Sequence, residues 1–356
     1  MISAKIRIIV KERIGMRDFK GKIVFVTGGA SGAGLGQAKV FGREGMKVAI
    51  GDVRQDALDN AVKELIAFGI PEKDILAIKV DLTDRADYTR CADKIEEVFG
   101  GPPHLLIQTA GVNSFGPIEA STFDDFDWVM GVCLNHVVNG LLIFVPRMIK
   151  AYAHKTEFHV ATTSSMGAFM AGSGTGPYSD AKAAVNNLMY SYDEALRPYG
   201  SGATVLCPGN INSNIGNAEK FRPANLKNTG YRVNEKTMAS LRAIHATGID
   251  PVELGEILKE AIENQRVICL PDHNPDGRAA QLRGLNETIE NYTLTRAQRD
   301  EIAAKRRAEM MKAMEEARKS GKEPPMPMWA TPEDAEPFGK ARDDLDWIDP
   351  SKKLQK

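Results

Sequence analysis

A tyrosine and a lysine four residues apart form the stretch of this chain best suited to removing a proton from an alcohol. Tyr178 and Lys182 begin a segment with helical apolar spacing, so both side chains project from one helical face. A phenol titrates near pH ~10, and an ammonium group beside it lowers that pKa. Ser165, thirteen positions upstream, has a hydroxyl that could hold the reacting oxygen. The pair alone also fits a solvated helix start, so the neighbouring motifs must decide.

A glycine-rich loop follows the first apolar run, residues 23–26. Gly28 permits a tight turn, Gly32 lets the backbone approach a pyrophosphate, and Gly34 and Gly36 allow a helix to pack closely on the strand. The N-terminus of that helix then faces the phosphate charge. An isolated glycine cluster is an ordinary flexible turn, whereas a strand, a glycine loop and a helix in this order predict a dinucleotide site.

Acidic residues after the next two strands predict how the dinucleotide is held. Asp52 follows the apolar run 48–50 and can accept both hydroxyls of the adenosine ribose, which favours NAD over NADP because a 2′-phosphate is repelled. Arg54 lies close enough to serve such a phosphate instead, and Asp52 also fits a turn before a helix. Asp81, after strand 75–80, either reaches the adenine amino group or caps a helix over 84–99.

Seven apolar runs separated by helical segments indicate a doubly wound α/β fold, with a parallel sheet covered on both faces. The predicted strands are 23–26, 48–50, 75–80, 105–107, 158–162, 203–207 and 267–270. Ligands of such sheets bind beyond the carboxyl ends of the strands. The candidate residues that share this edge are Gly28, Asp52, Asp81, Ala110, Ser165 and Pro208.

With these motifs together, residues 18–272 resemble the short-chain dehydrogenase/reductase family. The resemblance implies that Tyr178 takes the hydroxyl proton, that Lys182 binds the nicotinamide ribose and lowers the tyrosine pKa, and that Ser165 orients the substrate while hydride passes to NAD. Ser164 is an alternative to Ser165, although the interval favours Ser165. The implied cofactor contacts are Thr27, Gly28, Ser31, Gly32, Gly34, Leu35, Asp52, Asp81, Leu82, Ala110, Gly111, Tyr178, Lys182, Pro208, Gly209, Ile211 and Ser213.

Two positions depart from the family pattern. The family's Asn-Asn-Ala-Gly reads Gln-Thr-Ala-Gly at 108–111, and Cys133 stands where its fourth catalytic residue, an asparagine, is usual. In the family that asparagine kinks the helix so that its backbone carbonyl holds a water of a proton relay, and a carbonyl survives substitution by cysteine. Asn135 is two residues out of register. His136 is either a helix-packing residue or a substitute proton carrier, and no metal site is expected.

A narrower resemblance is to the Cα-dehydrogenases of bacterial lignin β-aryl ether breakdown, carried mainly by residues 28–42, 110–119 and 124–128. That subgroup has asparagine and glycine at positions 133 and 136, and oxidises a benzylic alcohol to the ketone with NAD. A bulky two-ring substrate needs an apolar, aromatic cleft, and the candidate lining residues are Asn113, Phe115, Phe169 and Met170. The insertion 214–246 is expected to form a substrate lid, the alternative being a mobile surface loop.

Two other functions stay open from the sequence. One is a related dehydrogenase for another bulky alcohol of steroid or terpenoid type. The other is a weakly active NAD-binding scaffold in which Cys133 impairs turnover.

Composition indicates a soluble globular protein. The net charge of −1 over 356 residues argues against nucleic acid or an anionic membrane as the main partner. No run is judged long and apolar enough to span a bilayer. The four cysteines are far apart, which suits a reducing, cytoplasmic compartment without disulfides. The family habit implies a homodimer or homotetramer.

The chain divides into three parts by its sequence. Residues 1–15 form an N-terminal extension, with a short mitochondrial-type presequence as the alternative, and residues 16–272 form the dehydrogenase core. Residues 273–356 form a charged helical extension with a helix over 297–319, after which 331–356 reads as irregular.

Overall fold

The computed structural model describes residues 16–170, 172, 174–271, 275–320 and 339–341. The N-terminal extension 1–15 lies outside the described residues, as do most of 321–356. The chain forms two compact units, Met1–Pro271 with Pro337–Lys356 and Asp272–Glu336. The second unit contains the helices α9 (Pro275–Thr293) and α10 (Arg296–Ser320), the latter covering the helix predicted over 297–319.

The first unit is built on a seven-stranded parallel sheet, which confirms the predicted doubly wound fold. Its strands are β1 (Ile23–Thr27), β2 (Lys47–Asp52), β3 (Ile75–Lys79), β4 (Leu105–Gln108), β5 (His159–Thr163), β6 (Ala203–Leu206) and β8 (Ile268–Cys269). They lie in the order β3-β2-β1-β4-β5-β6-β8, and every neighbouring pair is parallel. The strand order reverses direction between β1 and β4, which is where such sheets bind ligands.

Alternate side chains of the strands pack into two separate hydrophobic cores, one on each face of the sheet. Val24 and Val26 pack on one face with α1 (Gly32–Arg43), α2 (Gln55–Ala67) and α8 (Pro251–Glu263). Ile23 and Phe25 pack on the other face with α3 (Arg85–Phe99), α5 (His136–Tyr152) and α6 (Gly176–Leu196). Because successive strand residues point to opposite faces, a continuously apolar strand is buried on both sides.

Helix α4 (Phe123–Met130) runs into α5 through a π-helical turn, Gly131–Asn135. Within the described part of the chain, Phe123–Tyr152 is the one helix long and apolar enough to cross a membrane. The expectation that no run passes this test is therefore wrong. More than half of its most apolar stretch is buried within the protein, where Val137, Leu141 and Phe144 pack against the sheet. The helix is apolar because it covers the sheet.

The insertion after β6 has secondary structure of its own. It contains two short 3₁₀ segments, Ile215–Phe221 and Ala224–Leu226, then β7 (Tyr231–Val233) and α7 (Glu235–Ala246). Strand β7 pairs antiparallel with β9 (Gly339–Ala341). The prediction that 331–356 is irregular is therefore wrong at 339–341, whose strand sequence, Gly-Lys-Ala, is too short and polar to carry a period-two signal.

Candidate active site

Loops at the carboxyl edge of the sheet bring the predicted site residues together. Thr27 and Gly28 lie at the end of β1, Asp52 ends β2, and Ala110 and Gly111 follow β4. On the far side of the switch point, the remaining candidates follow β5 and β6: Ser165, Pro208, Gly209, Ile211 and Ser213. The shared edge inferred from the sequence is present in the structure.

Ser165, Tyr178 and Lys182 form one cluster. Tyr178 lies in the first turn of α6, which carries Pro177 at its start. The Lys182 ammonium lies 5.5 Å from the centre of the Tyr178 ring, and Ser165 hydrogen-bonds the Tyr178 hydroxyl. The Ser165 oxygen also accepts a hydrogen bond from the Gly167 amide at 3.0 Å and so caps the one-turn helix Met166–Ala168. The structure therefore brings the three predicted side chains together at one place.

Ser164, the alternative serine, faces the opposite way. Its hydroxyl donates to the Lys182 carbonyl at 3.2 Å and the residue is buried. It therefore fastens β5 to α6, and the tyrosine contact belongs to Ser165.

The expected lowering of the Tyr178 pKa by Lys182 is absent from the protein alone. Burial raises the pKa of Tyr178 and the Cys133 thiol adds to the rise, while the hydrogen bond from Ser165 opposes it. The tyrosine keeps partial exposure. The Lys182 ammonium donates to the Thr163 carbonyl at 2.8 Å, and lowering of the Tyr178 pKa by Lys182 stays a prediction for the protein with its cofactor bound.

Lys182 is itself buried beside the crevice. Burial lowers its pKa, and the nearby thiols of Cys133 and Cys207 oppose that shift. A Cβ added at Gly111 would lie 3.7 Å from the lysine nitrogen, so the loop after β4 passes directly over the ammonium group. An ammonium group has three donors, and the Thr163 carbonyl takes one of them.

The glycine loop forms a cradle of the kind that a dinucleotide occupies. Gly28 has φ +63°, and a Cβ there would lie 2.7 Å from the Ala110 Cα; Gly32 has φ +52°, and its Cβ would lie 3.3 Å from the Ser213 side chain. The loops after β1, β4 and β6 therefore converge. Gly36 does not pack on the strand as expected, because a Cβ there would collide with the Pro251 backbone at the start of α8.

Asp52 and Arg54 form an ion pair at the tip of β2. The Arg54 Nε donates to Asp52 Oδ1 at 3.2 Å, and its Nη2 donates to the Ser31 hydroxyl at 3.0 Å. The Arg54 backbone amide also donates to Asp52 Oδ1 at 3.1 Å, so Asp52 forms a turn as well. The guanidinium lies 5.0 Å from the Phe221 ring of the insertion. Ser31, Asp52 and Arg54 thus share the expected adenosine end.

Asp81 is not the cap of α3, contrary to the alternative left open by the sequence. Asp84 caps the helix by accepting from the amides of Ala86 and Asp87. Asp81 is exposed and accepts from the Thr83 amide and hydroxyl. Leu82 is buried and its carbonyl accepts from the Asn139 side chain at 3.4 Å.

The π-helical turn places Cys133 beside the loop after β4. The thiol donates to the Val112 carbonyl at 3.1 Å, and the Val112 amide lies 3.4 Å from the sulfur. Burial raises the pKa of Cys133, against the influence of Lys182, so the group is a neutral tether. Asn135 is exposed and does not take its place. His136 is buried and contacts Thr27.

Sequence reasoning missed a buried polar cluster beneath the crevice. Gln37 of α1 donates to the Thr163 hydroxyl at 3.0 Å and accepts from the Thr109 hydroxyl at 2.5 Å, and the two threonines lie 3.0 Å apart. This cluster fastens the ends of β4 and β5 together. A glutamine on the apolar face of a helix was the available signal, since buried polar groups require partners.

The segment after β6 is held from two sides. The Met166 amide donates to the Pro208 carbonyl at 2.9 Å, which connects it to the turn that carries Ser165. Asn212 and Asn210 exchange backbone hydrogen bonds with Ile249 at 3.1 and 3.0 Å. Gly209, Ile211 and Ser213 lie within this strap beside the glycine loop.

The predicted substrate residues lie on two loops near the catalytic cluster. Asn113 and Phe115 are only 6% and 3% exposed, so any lining role requires the surrounding loops to move. Phe169 and Met170 are partly exposed, and Phe169 packs against the core. The Asn113 side-chain oxygen has no hydrogen-bond partner among the described residues.

A buried ion cluster anchors the insertion 214–246 to α4. Arg222 lies 3.0 Å from Asp125 and 2.6 Å from Glu219, and its guanidinium stacks over the Trp128 ring at 4.2 Å. Arg222 and Asp125 are both buried. Tyr231 joins the cluster through its hydroxyl. These contacts fix the middle of the insertion to α4.

Among the described residues, no group of three or more His, Cys, Asp or Glu side chains could hold a metal ion.

The family model for the short chain dehydrogenase matches residues 22–222. This span is more than half of the chain and includes the glycine loop, Ser165, Tyr178 and Lys182. The chain belongs to the short-chain dehydrogenase family.

Individual relatives agree with this assignment. This short-chain dehydrogenase is 50% identical over 256 residues to the C alpha-dehydrogenase of Sphingobium sp. (strain NBRC 103272 / SYK-6), a match covering 72% of this chain and 82% of the relative. The apo structure of LigD from Sphingobium sp. strain SYK-6 matches with 40% identity and a TM-score of 0.61, covering 78% of this chain and 97% of LigD. A short chain dehydrogenase/reductase from Burkholderia phymatum in complex with NAD matches with 25% identity and a TM-score of 0.68, covering 88% and 99% of the two chains.

The chain is therefore a dehydrogenase that uses a nicotinamide dinucleotide. The residues fit this cofactor class, because Gly28 and Gly32 leave room for a phosphate backbone at the start of α1. Asp52 and Arg54 lie at the tip of β2, and Lys182 lies on α6 beside the loop after β4.

Proposed function

We propose that this dehydrogenase oxidises the benzylic Cα alcohol of lignin-derived β-aryl ether dimers to the ketone, with NAD as acceptor. The observation that carries the proposal is 50% identity to a C alpha-dehydrogenase across 82% of that relative's length. The catalytic cluster and the glycine loop both lie within the matched family core.

Tyr178 is the proposed base. Its hydroxyl receives a hydrogen bond from Ser165, and an alcohol held between these two oxygens would transfer its proton to the tyrosine. When bound, the oxidised nicotinamide supplies a positive charge near the phenol and accepts the hydride. This charge is needed because burial raises the pKa of Tyr178 in the protein alone.

Lys182 has two proposed roles. Its ammonium group would bind the nicotinamide ribose with donors other than the one given to the Thr163 carbonyl. Its charge also favours the phenolate, although at 5.5 Å from the ring centre this influence is secondary.

NAD is the proposed cofactor because Asp52 offers carboxylate oxygens where the adenosine ribose hydroxyls would lie. The relative from Burkholderia phymatum holds NAD. Arg54 and Ser31 could bind the 2′-phosphate of NADP, but the negative charge of Asp52 would repel that phosphate.

The substrate is proposed to enter between the loop 110–116 and the insertion. Phe115, Phe169 and Met170 supply apolar surface there, and the unpartnered oxygen of Asn113 supplies an acceptor for a substrate hydroxyl. We expect the insertion 214–246 to close over the bound dimer. A cytoplasmic location is supported by four free, buried cysteines, and a homodimer or homotetramer is proposed from the family.

The test is a substrate panel with the purified full chain. NADH formation should be seen with NAD and a guaiacylglycerol-β-guaiacyl ether dimer, and the ketone should be consumed when NADH is supplied. Steroid and terpenoid alcohols of similar size should react at least about tenfold more slowly in kcat/KM. NADH formation with a steroid but not with the dimer would overturn the proposed substrate. Turnover with NADP but not with NAD would overturn the proposed cofactor.

A further inference from the structure

His136 lies beneath the point where the strand order reverses. It begins α5, immediately after the π-helical turn, and is 0% exposed. Its Nε2 lies 3.4 Å from the Thr27 hydroxyl oxygen. Thr27 ends β1 and directly precedes the glycine loop.

The hydrogen bonds around Thr27 determine which way its proton points. The Thr27 oxygen accepts from the Thr109 amide at 2.9 Å and from the Ala110 amide at 3.4 Å. Because these two amides in the loop after β4 occupy both lone pairs of the oxygen, the hydroxyl donates its own proton to His136 Nε2. The imidazole is then neutral with its proton on Nδ1, a buried atom with no hydrogen-bond partner among the described residues.

We propose that His136 is a positioning residue for the cofactor: by accepting the Thr27 proton, it fixes the Thr27 hydroxyl and with it the separation of the loops after β1 and β4. These two loops form the sides of the crevice at the switch point. The proposal rests on the family's use of a nicotinamide dinucleotide and is independent of which alcohol is oxidised.

The distance between the loops after β1 and β4 affects two contacts of the loop after β4. A Cβ added at Gly28 would lie 2.7 Å from the Ala110 Cα, so the two loops already touch. The same loop passes Lys182 at Gly111. If the Thr27 hydroxyl rotated away, the Thr109 and Ala110 amides would lose their acceptor, and the loop would shift against both the glycine cradle and the lysine.

The chain provides a matched control at the opposite edge of the sheet. His159 is buried at the start of β5, and its Nε2 lies 2.9 Å from the Thr204 hydroxyl. It is the same kind of histidine–threonine pair, but it lies at the amino ends of the strands, away from the cofactor loops at their carboxyl ends. His159→Met therefore tests the loss of a buried histidine without disturbing the crevice.

The experiment measures NADH dissociation constants by fluorescence titration, with thermal unfolding as the check on folding. His136→Met, which keeps the volume but lacks the acceptor, should weaken NADH binding about three- to tenfold, the range expected for one buried hydrogen bond. His136→Gln keeps an amide acceptor and should stay within about twofold of wild type. His159→Met should leave NADH binding unchanged.

Thr27→Val removes the same bond together with the acceptor of the Thr109 and Ala110 amides, and it is the second test if His136→Met does not fold. It should weaken NADH binding at least as much as His136→Met, and where both fold, the double variant should be no worse than Thr27→Val alone.

Three results would overturn the proposal. The first is NADH binding in His136→Met, or in Thr27→Val, within about twofold of wild type. The second is a loss in His136→Gln as large as in His136→Met, which would make the ring's shape the cause. The third is unchanged NADH binding with a reduced kcat and a shifted pH profile, which would make His136 a proton carrier.

Discussion

The Cys133 thiol and the Val112 backbone form a reciprocal pair, with the sulfur donating to the carbonyl at 3.1 Å and lying 3.4 Å from the amide. One side chain thus holds both polar groups of a residue in the loop that crosses Lys182. The family resemblance assigns an asparagine to this position, and an asparagine amide offers the same donor and acceptor. The departure at Cys133 therefore preserves the tether.

Cys133→Asn should accordingly leave kcat/KM within about threefold of wild type or increase it, since both Val112 contacts can be made again. Cys133→Ala removes the partner of the partly buried Val112 amide and carbonyl, and kcat/KM should fall at least about tenfold. Cys91→Ala, at a buried cysteine of α3, should leave kcat unchanged. A large loss in Cys133→Asn with normal activity in Cys133→Ala would contradict the tether.

The sheet and the catalytic cluster were predictable because their signals are local. The strands Ile23–Thr27 and Lys47–Asp52 contain the continuous apolar runs 23–26 and 48–50, and the Tyr178–Lys182 interval is about one helical turn. The bond from the Lys182 ammonium to the Thr163 carbonyl was not predictable, because that carbonyl belongs to β5 and is not part of the helix that carries Lys182. The role of Gly36 was misassigned for the same reason, since Pro251 of α8 is more than two hundred residues away in sequence. The strand Gly339–Ala341 depends on pairing with Tyr231–Val233 and has no local signal of its own.

Asp52 and Arg54 favour different cofactors, Asp52 favouring NAD and Arg54 favouring NADP. Wild type should bind NADH at least about tenfold more tightly than NADPH, because the Asp52 carboxylate repels a 2′-phosphate. Asp52→Asn should narrow this ratio to about threefold or less, and Arg54→Ala should widen it by removing the one cation of the ion pair. Isothermal titration with both dinucleotides measures the ratio. Asp56→Asn, an exposed neighbour in α2, is the control, and an unchanged ratio in Asp52→Asn would refute the assignment.

Arg222→Met should weaken substrate binding through the insertion. The change leaves Asp125 as a buried carboxylate without its cation, and should lower the free energy of unfolding by about 3–5 kcal/mol. If the insertion closes over the dimer, KM for the dimer should rise at least about fivefold while the NADH dissociation constant is unchanged. Arg242→Met removes a more exposed ion pair of the same insertion and should have little effect. A rise in the NADH dissociation constant with normal KM would contradict the lid.

The stability of the protein should fall on mild acidification because of His136. Burial and the nearby Lys182 lower the pKa of His136 from 6.5 to about 3. Between these values the unfolded chain binds a proton that the folded chain does not, so stability decreases as the pH falls below 6.5. The loss between pH 7 and pH 5 should be about 2 kcal/mol from this one group. Urea unfolding at both pH values measures it, and His136→Met should show a smaller loss; an equal loss would contradict the shift.

The most direct test of the proposed reaction follows the hydrogen that leaves the substrate carbon. A β-aryl ether dimer carrying deuterium at Cα is incubated with NAD and the full chain, and the NADH is analysed by mass spectrometry. Tyr178→Phe is the control and should form product at least about a hundredfold more slowly while still binding NADH. We expect deuterium in the NADH together with the Cα ketone. Unlabelled NADH, oxidation at the primary alcohol of the dimer, or full activity in Tyr178→Phe would contradict the account.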